Sequence, residues 1–321
     1  MDIELLTGNT IVGFKDEVVP GTFIEITAPD YNVVVHEPGK ADVDYHTKKL
    51  GKPAIGSLIT SQSKSGMRSV QFPGKVELKF SGDEEVAPVD SKIIASAGLV
   101  VAAPGGAPVT YTYSGLAPCA TLSGIVTDLG CGSAPNAIDY KVAGIQSNLV
   151  IAGTGVLEEI TLDYTFSGVD YDRVDNLTPI KVATGIDTGA TEKLMGGGFT
   201  MGAQPYTLNS FSLDLGNTVS MVKDPSSVDA NGEYNGIKKF KITATDCKLA
   251  INVKKIDIGT SGIPTKIIQD TILTDLKIDM VHWDIEITEC SIITAKDVDG
   301  DGIIMQDLEI EVKAFVMTQK N

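Results

Sequence analysis

The stretch EEITLDYTFSG, Glu158–Gly168, alternates strictly: Ile160, Leu162, Tyr164 and Phe166 fall on one side and Thr161, Asp163 and Thr165 on the other. A period of two is the signature of a half-buried β-strand, because successive side chains point to opposite faces of the pleat. The run just before it, Tyr140–Ala152 (YKVAGIQSNLVIA), is equally strand-like, and the small residues Gly153–Gly155 separate the two, so the pair reads as a hairpin.

The same design recurs along the chain. His282–Thr294 (HWDIEITECSIIT) leads through Asp297–Gly302 into Ile303–Phe315 (IIMQDLEIEVKAF), where Leu308, Ile310 and Val312 oppose Glu309, Glu311 and Lys313. Thr22–Ala28 (TFIEITA), Gly74–Ser81 (GKVELKFS), Gly236–Thr245 and Lys248–Ile256 also alternate, and Tyr206–Leu215 (YTLNSFSLDL) does so with a slip of phase at Asn209. In Pro88–Leu99 the period changes: Ile93, Ile94 and Ala97 take helical spacing and Gly98 is a stop signal.

The order strand, Ile-Ile segment, strand, turn, strand occurs twice, from Gly74 to Phe166 and from Gly236 to Phe315, with KIIASA matching KIIQDT and EEITLDYTF matching QDLEIEVKAF. This pattern predicts an internal duplication. The fold class expected is mainly β, as two tandem sandwich or barrel domains over 1–180 and 181–321, each with a short flanking helix. Residues 29–66, with several Pro, Gly, Lys and Ser, read as a long loop or arm, and Asp170–Gly198 as an exposed connection.

Composition limits the function. The 321 residues carry 42 acidic against 26 basic side chains, a formal charge of −16, which disfavours attraction to nucleic acid or anionic membranes. A wall past which DNA slides without sticking suits such a charge. The N-terminus MDIELLTGNT has no basic region followed by an apolar core, so cytoplasmic synthesis is expected, and the most apolar stretch, Ile93–Ala103, is too short for a membrane span.

Cys119, Cys131, Cys247 and Cys290 are too scattered for a disulfide framework or a metal knuckle, and His36, His46 and His282 show no metal spacing. No nucleophile elbow, phosphate loop or dinucleotide fingerprint is present. Asp297, Asp299, Asp301 and Gly302 lie in a stretch that starts like a calcium-binding loop, but Leu308 stands where a bidentate Glu belongs and the flanks alternate as strands, so an acidic hairpin turn is expected. Neither an enzyme nor a cofactor is expected, and the lone Trp283 reads as a core or interface anchor.

PGTFIEITAPDY, RSVQFPGKVELKFSGDEEVAP with the helix ending in ASAGL, EEITLDYTFSGVDYD and NSFSLDLGNTVSMVKDPSS together resemble the tail tube proteins of long-tailed bacteriophages. The resemblance implies a subunit of stacked rings that form a conduit for DNA ejection. It implies a virion location after assembly in the host cytoplasm, and tape-measure and tail terminator or initiator proteins as partners. With the duplication, it favours a trimeric pseudo-hexameric ring over a hexamer. Asp163, Asp284, Glu286, Glu309 and Glu311 are the candidates for the channel wall, and Tyr31, His36, His46 and Lys64 for contacts between rings. The alternative reading is a two-domain adhesin or carbohydrate-binding module, which would need exposed aromatic platforms.

Overall fold

The computed structural model describes residues 5–27, 30, 41–49, 63–88, 91–115, 120–130, 137–176, 190–194, 198–202, 204–256, 263, 267, 271–300 and 303–321. The chain is mainly β. The first half contributes β1 (Leu5–Asp16), β2 (Asp42–Lys49), β3 (Ser63–Glu77), α1 (Ser91–Ser96), β4 (Val100–Ala102), β5 (Thr110–Tyr113), β6 (Leu122–Gly130), β7 (Ala137–Gly153) and β8 (Ile160–Asn176). The second contributes β9 (Gly198–Met201), β10 (Gln204–Asp214), β11 (Thr218–Lys223), β12 (Ile237–Ala244), β13 (Lys248–Lys254), β14 (Leu276–Asp279), β15 (Trp283–Gly300) and β16 (Ile303–Gln319).

The hairpins read from the alternation are β7–β8 and β15–β16, and β8 continues through Asn176 into what the sequence presented as a connection. The phase slip at Asn209 is an irregularity in the β10–β13 ladder between Leu208 and Ser210. Such a bulge moves one residue out of register without exchanging the two faces of the strand. Helix α1 stops where Gly98 adopts φ 94°, a backbone region that only glycine enters without steric cost.

Two expectations are corrected. TFIEITA is not a ladder strand: Ile24 N–H donates to Ser123 Oγ at 2.9 Å, and Thr27 N–H donates to Asp30 Oδ2 at 2.8 Å, so side chains satisfy backbone groups that a neighbouring strand would have used. The segment 29–66 is not one irregular loop. Within it Asp42–Lys49 forms β2 and pairs antiparallel with β3, His46 opposing Met67 and Lys48 opposing Lys64.

In the second half the strands close on themselves. β9 pairs with β10, β10 with β13, β13 with β16, β16 with β15, β15 with β14 and β14 with β9. The result is a six-strand barrel whose interior is filled by side chains such as Phe199, Leu213, Ile251, Ile287, Ile310 and Phe315. The first half is an open sheet in the order β1-β6-β7-β8-β3-β2.

The halves interlock. β10 pairs with β7, so both belong to one 14-stranded sheet, while β4–β5 of the first half adds to the edge of β16. In return the separate β11–β12 hairpin of the second half lies over β7 and β8, where Ile237 and Phe240 pack on Val169. A single large hydrophobic cluster runs from Phe14, Phe72 and Phe166 to Trp283 and Phe315. Burying a large apolar side chain contributes about 1.5–3 kcal/mol, so exchange of elements ties the stability of each half to the other.

Candidate functional site

Cross-strand partners share a face of a sheet, and the ladders connect residues far apart in sequence into rows. Lys75 on β3 opposes Asp163 on β8, Asp163 opposes Val150 on β7, and Val150 opposes Asp214 on β10. The row continues through Lys248 on β13 and Glu311 on β16 to Ser291 on β15. A parallel row runs Glu77, Thr161, Ala152, Ser212, Ala250, Glu309, Thr294. The reverse face of the same strands is core, with Val76, Leu162, Ile151, Leu213, Leu249 and Ile310 all buried.

A polar face therefore spans seven strands and crosses the junction of the two halves. It is charged, with Glu77, Asp163, Asp214, Glu289, Asp307, Glu309 and Glu311 against Lys75, Lys248, Lys254, Lys296 and Lys313, so acids are in slight excess. Ion pairs dot it at surface distances: Lys75 to Asp163 at 3.7 Å, and Lys248 to Glu309 at 3.7 Å and to Asp246 at 3.5 Å. Pairs this exposed contribute about 0–1 kcal/mol each. An amide chain crosses it as well, Asn209 Nδ2 donating to Asn252 at 3.1 Å and Asn252 Nδ2 to Asp307 at 2.5 Å. The small side chains Ala152, Ser212 and Ala250 leave a trough of about 590 Å³ bordered by Thr154, Asn252, Lys296 and Glu309.

Of the channel-wall candidates, Asp163, Glu309 and Glu311 meet on this face. Asp284 and Glu286 do not lie in these rows. They oppose Thr318 and Val316, beyond a set of register shifts in the β15–β16 ladder, beside β14. There Asp284 pairs with Lys277 at 2.7 Å and Lys320 at 2.6 Å, and Glu286 lies 3.6 Å from Lys277. Burial pushes the Asp284 carboxyl up, but hydrogen bonds from Lys277 and Lys320 outweigh it and hold the group below its ordinary value. Sequence reading missed Asp214 and Asp307, although Asp214 sits in clean alternation between Leu213 and Leu215.

Tyr31, His36 and Asp301 lie outside the described residues, as do Cys119 and Cys131. His46 and Lys64 fall in the β2–β3 ladder. Asp297 pairs with Lys255, strands flank the turn as the alternation required, and the described residues hold no group of three or more His, Cys, Asp or Glu arranged for a metal ion. No helix among the described residues is long and apolar enough to cross a membrane.

The remaining polar clusters are structural. Glu17 accepts from Gly21 N–H at 2.5 Å, Gly144 N–H at 2.7 Å, Ser123 Oγ at 3.0 Å and Thr121 Oγ, fastening the end of β1 to β6 and β7. Buried Glu192 accepts from the backbone of Val281 at 2.7 Å and contacts His282 Nδ1 at 3.0 Å, while the imidazole stacks on Phe80 at 4.5 Å. Trp283 is fully buried and donates to Lys79 O at 3.2 Å, which removes it as a sugar platform. Cys247 and Cys290 are free and buried, and burial pushes both thiols up to about 12, far from a reactive thiolate.

No protein-family model matches the chain, and no curated protein matches it.

Proposed function

We propose that the protein is a non-enzymatic structural subunit of a phage tail tube, duplicated within one chain, whose copies close into stacked rings around a passage for DNA. The observation that carries this reading is the polar face, with acids in slight excess, that crosses seven strands and both halves. A lumen lined this way repels phosphate and lets DNA move without sticking, so Asp163, Glu309 and Glu311 take the wall while Asp284 and Glu286 lie away from it.

The edges of that sheet support the same reading. β2 covers β3 only as far as Gln71, so the side of β3 away from β8 is open from Phe72 to Glu77 among the described strands. At the other end, among the described strands, β15 beyond Cys290 pairs only with β16. Open edges are a liability in a monomer, and head-to-tail closure removes them. Seven or eight strands per copy, spaced about 4.8 Å and tilted about 40°, give three copies a backbone circle about 40–50 Å across. Six copies would double it, so strand arithmetic favours the trimer for a bore matched to duplex DNA.

Tape-measure and terminator or initiator proteins are the partners this reading implies, with the virion as location. Electron microscopy of negatively stained protein, fresh and concentrated, tests it. Hollow tubes or rings with three-fold symmetry are expected. Monomers at every concentration, confirmed by sedimentation, would remove the reading and leave a surface-binding module in its place.

A further inference from the structure

Two exposed apolar corners lie toward opposite ends of β8. The first is the turn between β7 and β8, where Val156 and Leu157 face solvent and Leu157 is 63% exposed at φ 70°. A left-handed backbone at a residue with a side chain costs free energy and persists only where the surroundings fix it. At this turn Leu157 N–H donates to Leu194 O at 2.7 Å, Leu194 N–H to Glu158 O at 3.0 Å, and Glu158 N–H to Gly155 O at 3.2 Å. The turn is pinned while its aliphatic side chains stand in water.

The second corner is the turn of the β11–β12 hairpin. Val228 and Tyr234 oppose each other across it and share a face, with Tyr234 73% exposed. This turn is pinned as well. Asn231 N–H and Glu233 N–H each donate to Asp229 Oδ1 at 2.9 Å, Arg68 pairs with the same carboxylate, and Ala230 N–H donates to Tyr171 O at 3.1 Å.

Ile160, where β8 leaves the first corner, is eleven residues from Tyr171, which carries the second. At about 3.3 Å per residue the two lie about 36 Å apart, so they do not meet within one chain. Their charges are opposite in excess. Beside Leu157 stand Glu158 and Glu159, with Lys193 opposing Glu159. Behind Tyr234, β11 and β12 carry Lys223, Lys238, Lys239 and Lys241 and no acid. The turn adds Glu233, Asp229 held by Arg68, and Asp224, whose carboxylate accepts from Ser226 N–H at 2.9 Å and Ser226 Oγ at 2.6 Å.

We infer that the Val156–Leu157 corner of one copy docks on the Val228–Tyr234 corner of a second copy, joining copies head to tail along β8. One chain carries both members of the pair at separate places, the arrangement that yields an open-ended stack rather than a closed dimer. The inference rests on the stacked-ring reading and names its axial contact: sheet edges close a ring, and strand ends stack one ring on the next. It also accounts for the strain at Leu157, which a glycine would relieve.

Two truncations test it, with tubes counted by negative-stain electron microscopy and pelleted by sedimentation over a range of protein concentrations. Leu157→Gly and Tyr234→Ser are each expected to raise the concentration at which tubes appear about tenfold, leaving unstacked rings. Tyr234→Ser should melt as the wild type does and Leu157→Gly no lower, so a folding defect is separated from a lost contact. The double variant is expected to match the stronger single one, because both remove the same contact. Wild-type-like tubes from either single variant, or a double variant with the two effects multiplied to about a hundredfold, would overturn the contact while wild-type tubes upheld the tube reading. A wild type that forms neither rings nor tubes would overturn both.

Discussion

Replacing Tyr164 by Phe is expected to stabilise the protein. The Tyr164 ring lies in the first-half core, with its centroid 4.4 Å from that of Phe166 and 6.4 Å from that of Phe72, and its hydroxyl is buried without a hydrogen-bond partner. Gly74 is what makes room for that hydroxyl, since a Cβ at that position would sit 2.4 Å from the oxygen. A buried unsatisfied hydroxyl costs about 1–3 kcal/mol. Deleting it leaves a void of about one oxygen atom, and at about 24 cal/mol per Å³ of cavity the penalty is a few tenths of a kcal/mol. The net gain is therefore about 1–2 kcal/mol. For 321 residues the unfolding entropy is about 0.7 kcal/mol/K, so the melting temperature rises about 2 °C.

The pH dependence supplies a second readout. Burial raises the phenol well above its ordinary value in the fold. Above pH ~10 the unfolded chain ionises this group while the folded chain does not. Its contribution is thus intact below about pH 10 and is lost as pH rises toward the folded value. The stability gap between Tyr164→Phe and wild type should widen from pH 9 to 11 in urea titrations. A variant less stable than wild type, or a gap that stays flat over that range, would mean the hydroxyl has a partner, refuting the reasoning.

Glu17→Ala removes the acceptor shared by four donors and leaves the Gly144 N–H unmatched, while Gly21 N–H keeps Thr121 Oγ at 3.2 Å; a loss of about 2 kcal/mol is expected in chemical denaturation. Gly144→Ala combines φ 62° with the close Lys239 backbone, so destabilisation by more than about 2 kcal/mol and loss of amide protection in β12 should follow. Leu157 holds φ 70° while 63% exposed; Leu157→Gly is expected to raise stability by about 0.5–1 kcal/mol, read from the melting temperature. The lowered carboxyl of Asp284 contributes stability above its unfolded value, near pH 4, that is lost as pH falls through the folded one. Asp284→Asn should flatten that acid limb of the stability curve.

Much of the secondary structure was legible in the chain because alternation needs only local sequence. Ile160 to Phe166 and Leu308 to Val312 announce which side chains face the core, and Asn209 announces the bulge in β10. TFIEITA shows the limit of this signal. Its period is that of a strand, yet Ser123 and Asp30 reached its backbone before any neighbour did. Conversely β2 was hidden in a polar stretch because its strand character depends on lying beside β3.

What the sequence by itself determined is the face each side chain takes: a two-residue period separates Asp163, Glu309 and Glu311 from the core regardless of partner. What only tertiary structure decided is which strands are neighbours. Pairing β10 with β7 joined those acids into one face across both halves, the pairing of β15 with β16 set Asp284 and Glu286 opposite Thr318 and Val316, farther along the ladder, and closure of β9 onto β14 made the barrel. Strand pairing is non-local and its loop-closure entropy is recovered only when distant segments meet, so no run of residues carries that information alone.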